Sequence, residues 1–520
     1  MSTRSMVIND LSLSLEDILG SDYADSVCTA KAFISGQSKE NMLKIASEKV
    51  EFYPESFQKR VDDLIDFVGK KVCNSLLKSP DGAGTEAFNK ATKKDLAPLT
   101  GMGFIRIGEN GKVYLVSKSE HYHGSLGHCF PGFKLIDKAD EIAITNITHN
   151  NYRGYITRLL EEELVRISNY GKVKDVKKKV SCKPVNAPYL DRVLNLQTGS
   201  VAAEAALKLM LSRFYKSLDG LPEPVYKGKI PVFIVLGNDF GGLEANYHGT
   251  NILAQQLRGM WPEFTDKLNK SGAMMVKAVK ANDTAQLIEV FKKYNSGNYK
   301  TAGFFIELIM MNYGATLLKI DFTDLVQKLC SEYDTPLAID EIQTCVWSPE
   351  IFLFKEYGLR PDIIVLGKGM PGGRYPSSRL VFNSKLGNLT QFGALVTNSQ
   401  DEFASLSYLI TIEFVKSNSD YIESIGNYYE TELKNLSKKY REIIDKIDGK
   451  RHLLSIYFKS IKYAILFAED LNQNCIDISV QTYKSDAPPV ALTKLPLISS
   501  FKMVEFLIKK IDEALKKIEI

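Results

Sequence analysis

Four short apolar segments in the middle of the chain most constrain its fold. They read PVFIVLG at 231–237, AGFFIELIM at 302–310, PLAIDE at 336–341 and DIIVLG at 362–367. Each has the length of a strand, is apolar without alternation, and is followed by a longer segment of helical periodicity. A strand with no polar face must be buried on both sides, as it is in a parallel sheet covered by helices. The pattern therefore predicts an α/β fold.

The two flanks of this region follow other patterns. Residues 1–100 carry apolar residues at three- and four-residue spacing, and residues 402–440 are strongly helical. The alternating runs of GFIRIGENGKVYLV, around a Glu-Asn-Gly turn, predict a β-hairpin. We expect, in order, a helical N-terminal extension at 1–100, an entry segment and first part of a small domain at 101–190, a large domain at 191–400, and a linking helix with the rest of the small α+β domain at 401–520.

The charges indicate which partners are not expected, and the cysteines indicate the cellular compartment. There are 66 basic and 62 acidic residues, with a net charge of +4, which gives no reason to expect a nucleic acid or an anionic membrane as a partner. The 7 cysteines include no CxxC pair, and no segment is long and apolar enough for a signal peptide or a membrane span. We therefore expect a cytoplasmic protein. His121, His123, His128 and Cys129 match no zinc-binding spacing, so no metal site is expected.

Two acids and a lysine close the apolar segments. Asp340 and Glu341 end PLAIDE, and Lys368 follows DIIVLG between Gly367 and Gly369. In open α/β sheets, ligands bind at the carboxyl ends of strands. The simpler alternatives are that the acids cap a strand or begin a helix, and that the lysine lies exposed in a turn. A nucleotide-hydrolysing ATPase would need an upstream GxxxxGK[ST] loop, which the sequence lacks.

A further candidate is a helix that begins at Gly199 and Ser200, in QTGSVAAEAALKLM. The start of a helix offers free N–H groups that attract phosphate, although an ordinary serine N-cap is the simpler alternative. Together with an acid and a lysine at strand ends, this helix start completes the minimum set of groups for pyridoxal phosphate. The lysine would form a Schiff base with the aldehyde, and the carboxylate would pair with the ring nitrogen.

Longer motifs resemble one family. LAIDEIQTCVWSPEIFLFKEYGLRPDIIVLGKGMPGG at 337–373 resembles the DE[VI]QTG…PDI..LGKG..GG block of the class III aminotransferases, which are pyridoxal-phosphate enzymes of fold type I. QTGSVAAEAALKL resembles the family's NSG[TS]EAnEAALKL, FFIELIMMNYGA its EP[VI]QGEGG strand, and residues 111–133 its entry segment. The resemblance covers roughly 105–515. It implies a large domain with a mostly parallel seven-stranded sheet between helices and a small α+β domain.

The resemblance also implies roles for single residues. Lys368 would be the Schiff-base lysine and would carry a proton between substrate and cofactor, and Asp340 would keep the ring nitrogen protonated. The other implied cofactor contacts are Gln343 at the phenolic oxygen, Gly199 and Ser200 at the phosphate, Thr397 at the phosphate of the partner subunit, and Tyr247 stacked on the ring, with Phe240 as the alternative. A homodimer is implied because the family's active site lies at the subunit interface.

Three departures from the family pattern leave the reaction open. Val201 replaces the glutamate after the phosphate-binding serine, and the second acid of EP[VI]QGE is lost between Glu307 and Asn312. The carboxylate-binding arginine has no counterpart; Lys494 is near its place but lacks arginine's bidentate fork.

The sequence as a whole predicts a ping-pong aminotransferase. It would move an amino group from an amino acid or amine to a keto acid or aldehyde. The alternatives are a racemase, an aminomutase or a decarboxylase on the same fold, and a non-catalytic descendant that acts as a binding module.

Overall fold

The structure is a computed structural model that describes residues 6–119, 123–169, 189–238, 245–387, 389–481 and 489–518. The chain divides into two units. The large unit comprises Ser14–Glu48 and Leu135–Ser419, and the small unit comprises Met1–Leu13, Lys49–Lys134 and Asp420–Ile520. The first hundred residues are thus shared between the two units.

A seven-stranded sheet forms the centre of the large unit. Its strands are β1 (Arg192–Leu196), β2 (Ile230–Leu236), β3 (Met275–Val279), β4 (Tyr299–Ile306), β5 (Leu337–Asp340), β6 (Ile363–Leu366) and β7 (Ser378–Phe382). They lie in the order β1-β7-β6-β5-β4-β2-β3. All neighbours from β6 to β3 are parallel, and β7 is antiparallel to β6 and β1. The four apolar segments are therefore adjacent central strands, and the predicted mostly parallel sheet is confirmed.

Helices cover both faces of this sheet, which explains why its central strands are apolar throughout. On one face, helix α1 (Gly199–Leu211) packs with its buried alanines against a cluster that includes Phe233 and Phe305. On the other face, Phe304 lies against Phe291 of helix Thr284–Lys293, with ring centroids 6.2 Å apart. Successive strand residues thus enter different apolar layers, and neither face can be polar.

The following helices come from the segments of the chain that belong mainly to the large unit. They are Leu15–Leu19, Ser21–Ser35, Lys39–Ser47, Lys134–Glu141, Tyr155–Asn169, Ile252–Leu257, Pro262–Ser271, Ile320–Glu332, α2 (Leu353–Glu356) and Gln391–Ala394. Strands Ile309–Met310 and Thr316–Leu317 form a separate antiparallel pair. The helix predicted near 402–440 is confirmed as α3 (Glu402–Lys439), which is interrupted by non-helical backbone at Asn418.

The small unit contains two four-stranded sheets. One consists of Pro98–Met102, Ile105–Gly108, Val113–Val116 and Ile476–Asp477, and the other of Ile444–Lys450, Leu453–Phe458, Ser479–Gln481 and Val490–Lys494. The predicted hairpin is confirmed, because Ile105–Gly108 and Val113–Val116 pair antiparallel. The helices are Glu55–Leu64, Glu86–Ala91, Ile461–Gln473 and Phe501–Lys516, and strands Ser12–Leu13 and Val50–Glu51 form a further pair. Within the described ranges, no helix is long and apolar enough to cross a membrane.

Candidate active site

The carboxyl ends of four adjacent strands carry the polar side chains of one site in the large unit. Asp340 is the last residue of β5, Glu307 directly follows β4, and Lys368 comes two residues after β6. His248 lies in the segment that follows β2. Because parallel strands end at the same edge of a sheet, the fold gathers these four residues from positions far apart in the sequence.

The strand register brings Asp340 and Glu307 side by side. Ile339 of β5 pairs with Ile306 of β4, so the two acids that follow these residues are neighbours. Lys368 reaches the same edge from β6, the neighbour of β5 on its other side. Two carboxyl groups and one amine therefore meet on three consecutive strands.

Asp340 is held through both of its carboxylate oxygens. Its Oδ2 lies 2.9 Å from Nδ1 of His248, and its Oδ1 accepts a hydrogen bond from the N–H of Ile342 at 3.0 Å. Asp340 is only 3% exposed, and hydrogen bonds to a charged group are strong where water is excluded. The carboxylate is therefore fixed in orientation at the end of β5.

His248 was not among the residues predicted from the sequence. Its side chain is fully buried, and its ring packs against Phe305 with centroids 4.3 Å apart. Since Nδ1 faces a carboxylate, the ring carries its proton on Nδ1, and this N–H donates a hydrogen bond to Asp340. Nε2 has no hydrogen-bond partner among the described residues. The one signal in the sequence was its place directly after Tyr247 in YHGT.

Lys368 lies in a tight and partly buried turn. Its φ of 41° falls in the left-handed region, and a Cβ on the next residue, Gly369, would lie 2.2 Å from Cζ3 of Trp347. Burial lowers the pKa of Lys368, whereas the nearby Glu307 and Asp340 raise it. A lowered pKa leaves more of the amine neutral at pH 7, which is the form that attacks a carbonyl carbon.

Glu341 has a different role from its neighbour Asp340. Its Oε1 accepts a hydrogen bond at 2.7 Å from the N–H of Phe354, in the first turn of α2. Its Oε2 accepts a hydrogen bond from the hydroxyl of Thr344. The side chain is fully buried, and burial raises its pKa to about 7. Glu341 therefore ties the turn after β5 to α2.

The start of α1 forms a candidate anion site next to the turn after β5. Thr198 caps the helix in extended backbone, and the N–H groups of the first turn have no carbonyl partners within the helix. A Cβ on Gly199 would lie 2.4 Å from Cδ1 of Ile342, so this position has no space for a side chain. Oγ of Ser200 accepts the N–H of Thr250 at 3.0 Å. The free N–H groups and the helix dipole favour a phosphate here.

Two of the predicted ring contacts lie in this part of the large unit. Gln343 is 4% exposed and belongs to the turn after β5. Tyr247 is half-buried, and the guanidinium of Arg258 lies 4.9 Å from the centroid of its ring. Phe240, the alternative to Tyr247, lies outside the described residues, as does His121.

Thr397 is exposed, in a short turn before α3. The carbonyl of the next residue, Asn398, accepts a hydrogen bond from Nε2 of Gln197 at 3.3 Å. Gln197 lies between β1 and the Thr198 cap of α1. Within one chain, the Thr397 turn is therefore joined to the segment that leads into the candidate anion site.

Comparison with known proteins identifies the family. The sequence model of the family described as aminotransferase class-III matches residues 129–480, which is well over half of the chain. The chain belongs to the class III aminotransferases. It is therefore an enzyme of a family that transfers amino groups with pyridoxal phosphate, and the alternative of a non-catalytic binding module is set aside.

Named relatives and solved structures agree with this family. The acetylornithine aminotransferase of Aquifex aeolicus is 24% identical over 387 residues, which cover 74% of this chain and 91% of that protein. The glutamate-1-semialdehyde 2,1-aminomutase of Clostridium beijerinckii is 28% identical over 189 residues, 35% of this chain and 42% of that protein. The structure of the ornithine aminotransferase from Toxoplasma gondii ME49 matches with a TM-score of 0.64 at 20% identity, covering 81% of this chain and 90% of that chain. This last likeness shows the fold.

The residues at this edge fit the cofactor of the class III aminotransferases. A helix start suits its phosphate, a buried carboxylate its ring nitrogen, and a lysine of lowered pKa its aldehyde. Among the described residues, buried polar atoms without hydrogen-bond partners include both amide atoms of Asn246, Nε2 of His248 and both carboxyl oxygens of Glu307. Such atoms are costly to bury unless a ligand or water completes their hydrogen bonds, so this edge suits a polar ligand.

Replacing His248 with alanine should weaken the binding of pyridoxal phosphate about 10- to 100-fold. The variant loses a hydrogen bond to a buried charge, which is worth about 1.5–3 kcal/mol, and Asp340 loses its fixed orientation. Titration of the apoprotein with pyridoxal phosphate, followed by absorbance, gives the Kd. The exposed His149 provides the control variant His149→Ala. Equal Kd values for His248→Ala and wild type would contradict the role given to this pair.

Glu341 should lower the stability of the protein as the pH rises toward 7. Its pKa rises from 4.5 to about 7 on folding, so between these values the folded protein binds more protons than the unfolded chain. The free energy of unfolding then falls as the pH rises. Glu341→Gln lacks this titration. As the pH rises from 4.5 to about 7, the free energy of unfolding of the variant should therefore increase relative to that of wild type by up to about 3 kcal/mol. Urea unfolding at several pH values measures this, and a pH-independent difference would speak against the raised pKa.

Proposed function

We propose that the large unit binds pyridoxal phosphate between the start of α1 and the ends of β5 and β6, and there transfers amino groups. The observation that carries the proposal is the buried Asp340–His248 pair beside Lys368 on neighbouring strand ends. When bound, the cofactor supplies an aldehyde that exchanges amines and a ring that accepts electrons from the substrate. The protein residues supply binding, orientation and proton transfer.

Lys368 is the residue that we propose to hold the cofactor covalently. Burial lowers the pKa of its amine, which increases the fraction of the amine in the neutral, nucleophilic form. Once a substrate amine has displaced Lys368, the lysine amine is released from the cofactor. It can then accept a proton from the substrate carbon and deliver it to the cofactor. The backbone of Lys368 is held in the left-handed region. This fixes the point from which its side chain would reach the cofactor aldehyde and the substrate carbon.

Asp340 is the residue that we propose to keep the ring nitrogen protonated. A carboxylate that is excluded from water favours a positive charge on the group that it binds. The hydrogen bond from His248 to Oδ2 holds the carboxylate in place. Gln343 would contact the phenolic oxygen from the turn after β5, and Tyr247 would stack on the ring.

Gly199 and Ser200 would bind the phosphate, and Thr397 would reach the phosphate of the partner subunit in a homodimer. The hydrogen bond from Gln197 to Asn398 joins the Thr397 turn to the helix start of the same chain, so the contribution of Thr397 to the partner rests on the resemblance to the family. Sedimentation at micromolar concentration tests the dimer, since an active monomer would exclude a contribution of Thr397 from the partner.

We also propose a cytoplasmic location and small-molecule substrates, namely an amino acid or amine as donor and a keto acid or aldehyde as acceptor. No disulfide joins the cysteines that the structure describes, as is expected in a reducing compartment; they are Cys28, Cys73, Cys129, Cys330, Cys345 and Cys475. The names of the relatives make ornithine and acetylornithine the first donors to test.

An aminomutase is the second candidate, because one relative is named for that reaction. Incubation with an amino donor alone separates the two reactions. A transferase stops after releasing one equivalent of carbonyl product per active site. An aminomutase continues to turn over without an added acceptor and releases no carbonyl product of the donor. A single stoichiometric release would therefore exclude the second candidate.

Lys368→Ala should abolish the covalent attachment of pyridoxal phosphate. Reduction of the loaded wild type with borohydride, followed by peptide mass spectrometry, should place a pyridoxyl group on Lys368. Lys300 offers a matched control, because it is a second buried lysine whose pKa burial lowers, to about 8, near the opposite end of β4. Lys300→Ala should keep the label on Lys368. A label elsewhere, or none in the wild type, would refute the proposed function.

A further inference from the structure

Glu307 is a buried acid to which the residue roles above give no task. It is 2% exposed, and neither of its carboxyl oxygens has a hydrogen-bond partner among the described residues. The backbone N–H of Met311 acts on the carboxyl group and lowers its pKa. An ionised carboxylate in such a place would cost several kcal/mol. Glu307 is therefore stable as the neutral acid, which carries a proton.

The groups around Glu307 favour this assignment. Burial and the neighbouring Asp340 raise the pKa of Glu307 well above its usual range, while Lys368 and Arg258 act in the opposite direction. Of the two adjacent acids, Asp340 receives hydrogen bonds from His248 and a backbone N–H, whereas Glu307 receives none of comparable geometry. Two neighbouring carboxyl groups do not both ionise readily, so Asp340 takes the charge and Glu307 the proton.

Lys368 lies within electrostatic reach of this acid. Only β5 separates the strands that carry the two residues, a distance of about 10 Å between strand axes. The interaction is reciprocal, since Lys368 lowers the pKa of Glu307 and Glu307 raises that of Lys368. The thiol of Cys345, which also raises the pKa of Lys368, is the further titratable group on this side. A proton on Glu307 therefore lies within electrostatic reach of the amine whose chemistry consumes one.

We propose that Glu307 is the proton donor that serves bond formation at the Lys368 amine, an inference that rests on the proposed function. When the neutral amine adds to an aldehyde, a C–N bond forms, and one proton passes from the nitrogen to the carbonyl oxygen, which becomes a hydroxyl. Glu307 gives its proton to this hydroxyl, the C–O bond breaks, and water leaves. The nitrogen lone pair then forms the C=N bond, the nitrogen keeps its remaining proton and becomes positively charged, and Glu307 is left as a carboxylate. Hydrolysis reverses the step and returns the proton to Glu307.

The test measures how fast the apoprotein captures pyridoxal phosphate covalently, by stopped-flow absorbance across neutral and alkaline pH. In the wild type the rate should fall as the pH rises through the pKa of Glu307, because the acid form is lost. Glu307→Gln should be slower by about 10²-fold or more and should lack this decline. Glu307→Asp, which keeps an acid one methylene shorter, should retain the decline. Glu163→Gln is the control, a largely buried acid on helix Tyr155–Asn169 that pairs with Arg166 and Lys416, and it should behave as wild type.

A second measurement does not depend on the cofactor. The infrared difference spectrum, wild-type apoprotein minus Glu307→Gln apoprotein at neutral pH, should contain the C=O stretch of a protonated buried carboxyl group. Glu341, whose pKa burial raises to about 7, is present in both proteins and cancels in this difference. Capture by Glu307→Gln with the rate and pH dependence of wild type would overturn the inference, as would the absence of this band from the difference spectrum. If Glu307→Gln does not fold, Glu307→Asp decides, because loss of the pH decline in that variant would overturn it. Failure of the wild type to label Lys368 would instead refute the proposed function.

Discussion

The hydrogen bond between Asp340 and His248 is the interaction on which the site depends. It joins two residues 92 positions apart, with 2.9 Å between Nδ1 of His248 and Oδ2 of Asp340. It gives a hydrogen-bond partner to a carboxylate from which water is almost excluded. A buried charge that loses its partner is strongly destabilising. The loop after β2, the end of β5 and the layer of Phe305 beneath the His248 ring must therefore be in place together before the strand edge can bind a cationic ring.

Three acids near this edge show how hydrogen-bond donors decide the behaviour of one chemical group. Asp340 has a histidine and a backbone N–H and serves as the charged member. Glu341 has a threonine and a backbone N–H and joins a turn to a helix. Glu307 lacks donors of that quality, which favours its proton-carrying form. Burial raises the cost of charge for all three, and the donors determine which of them carries it.

The strands and their end residues could be predicted from the sequence because both depend on local pattern. Continuous apolar segments must be covered on two faces, and such strands in a parallel sheet bring Asp340 and Lys368 to one edge. His248 could not be predicted in this way, since its partner is fixed only by the packing of the loop after β2. The proton on Glu307 depends likewise on which donors the fold leaves out of reach. Helical periodicity also indicated the N-terminal helices, but not that Ser14–Glu48 belongs with one unit and Lys49–Lys134 with the other.

The order of the strands has a consequence for how the chain folds. β1 is an edge strand whose neighbour is β7, so that Asn195 pairs with Arg379. β1 joins the sheet only through β7, although the end of β1 at Leu196 lies far from the start of β7 at Ser378 in the chain. Contacts of such long sequence separation form slowly because a long loop must close first. The helix start at Gly199, which follows β1 directly, therefore depends on a contact between strands that are distant in the chain. Asp340 and Lys368, in contrast, lie at the ends of β5 and β6, which are neighbours both in the chain and in the sheet.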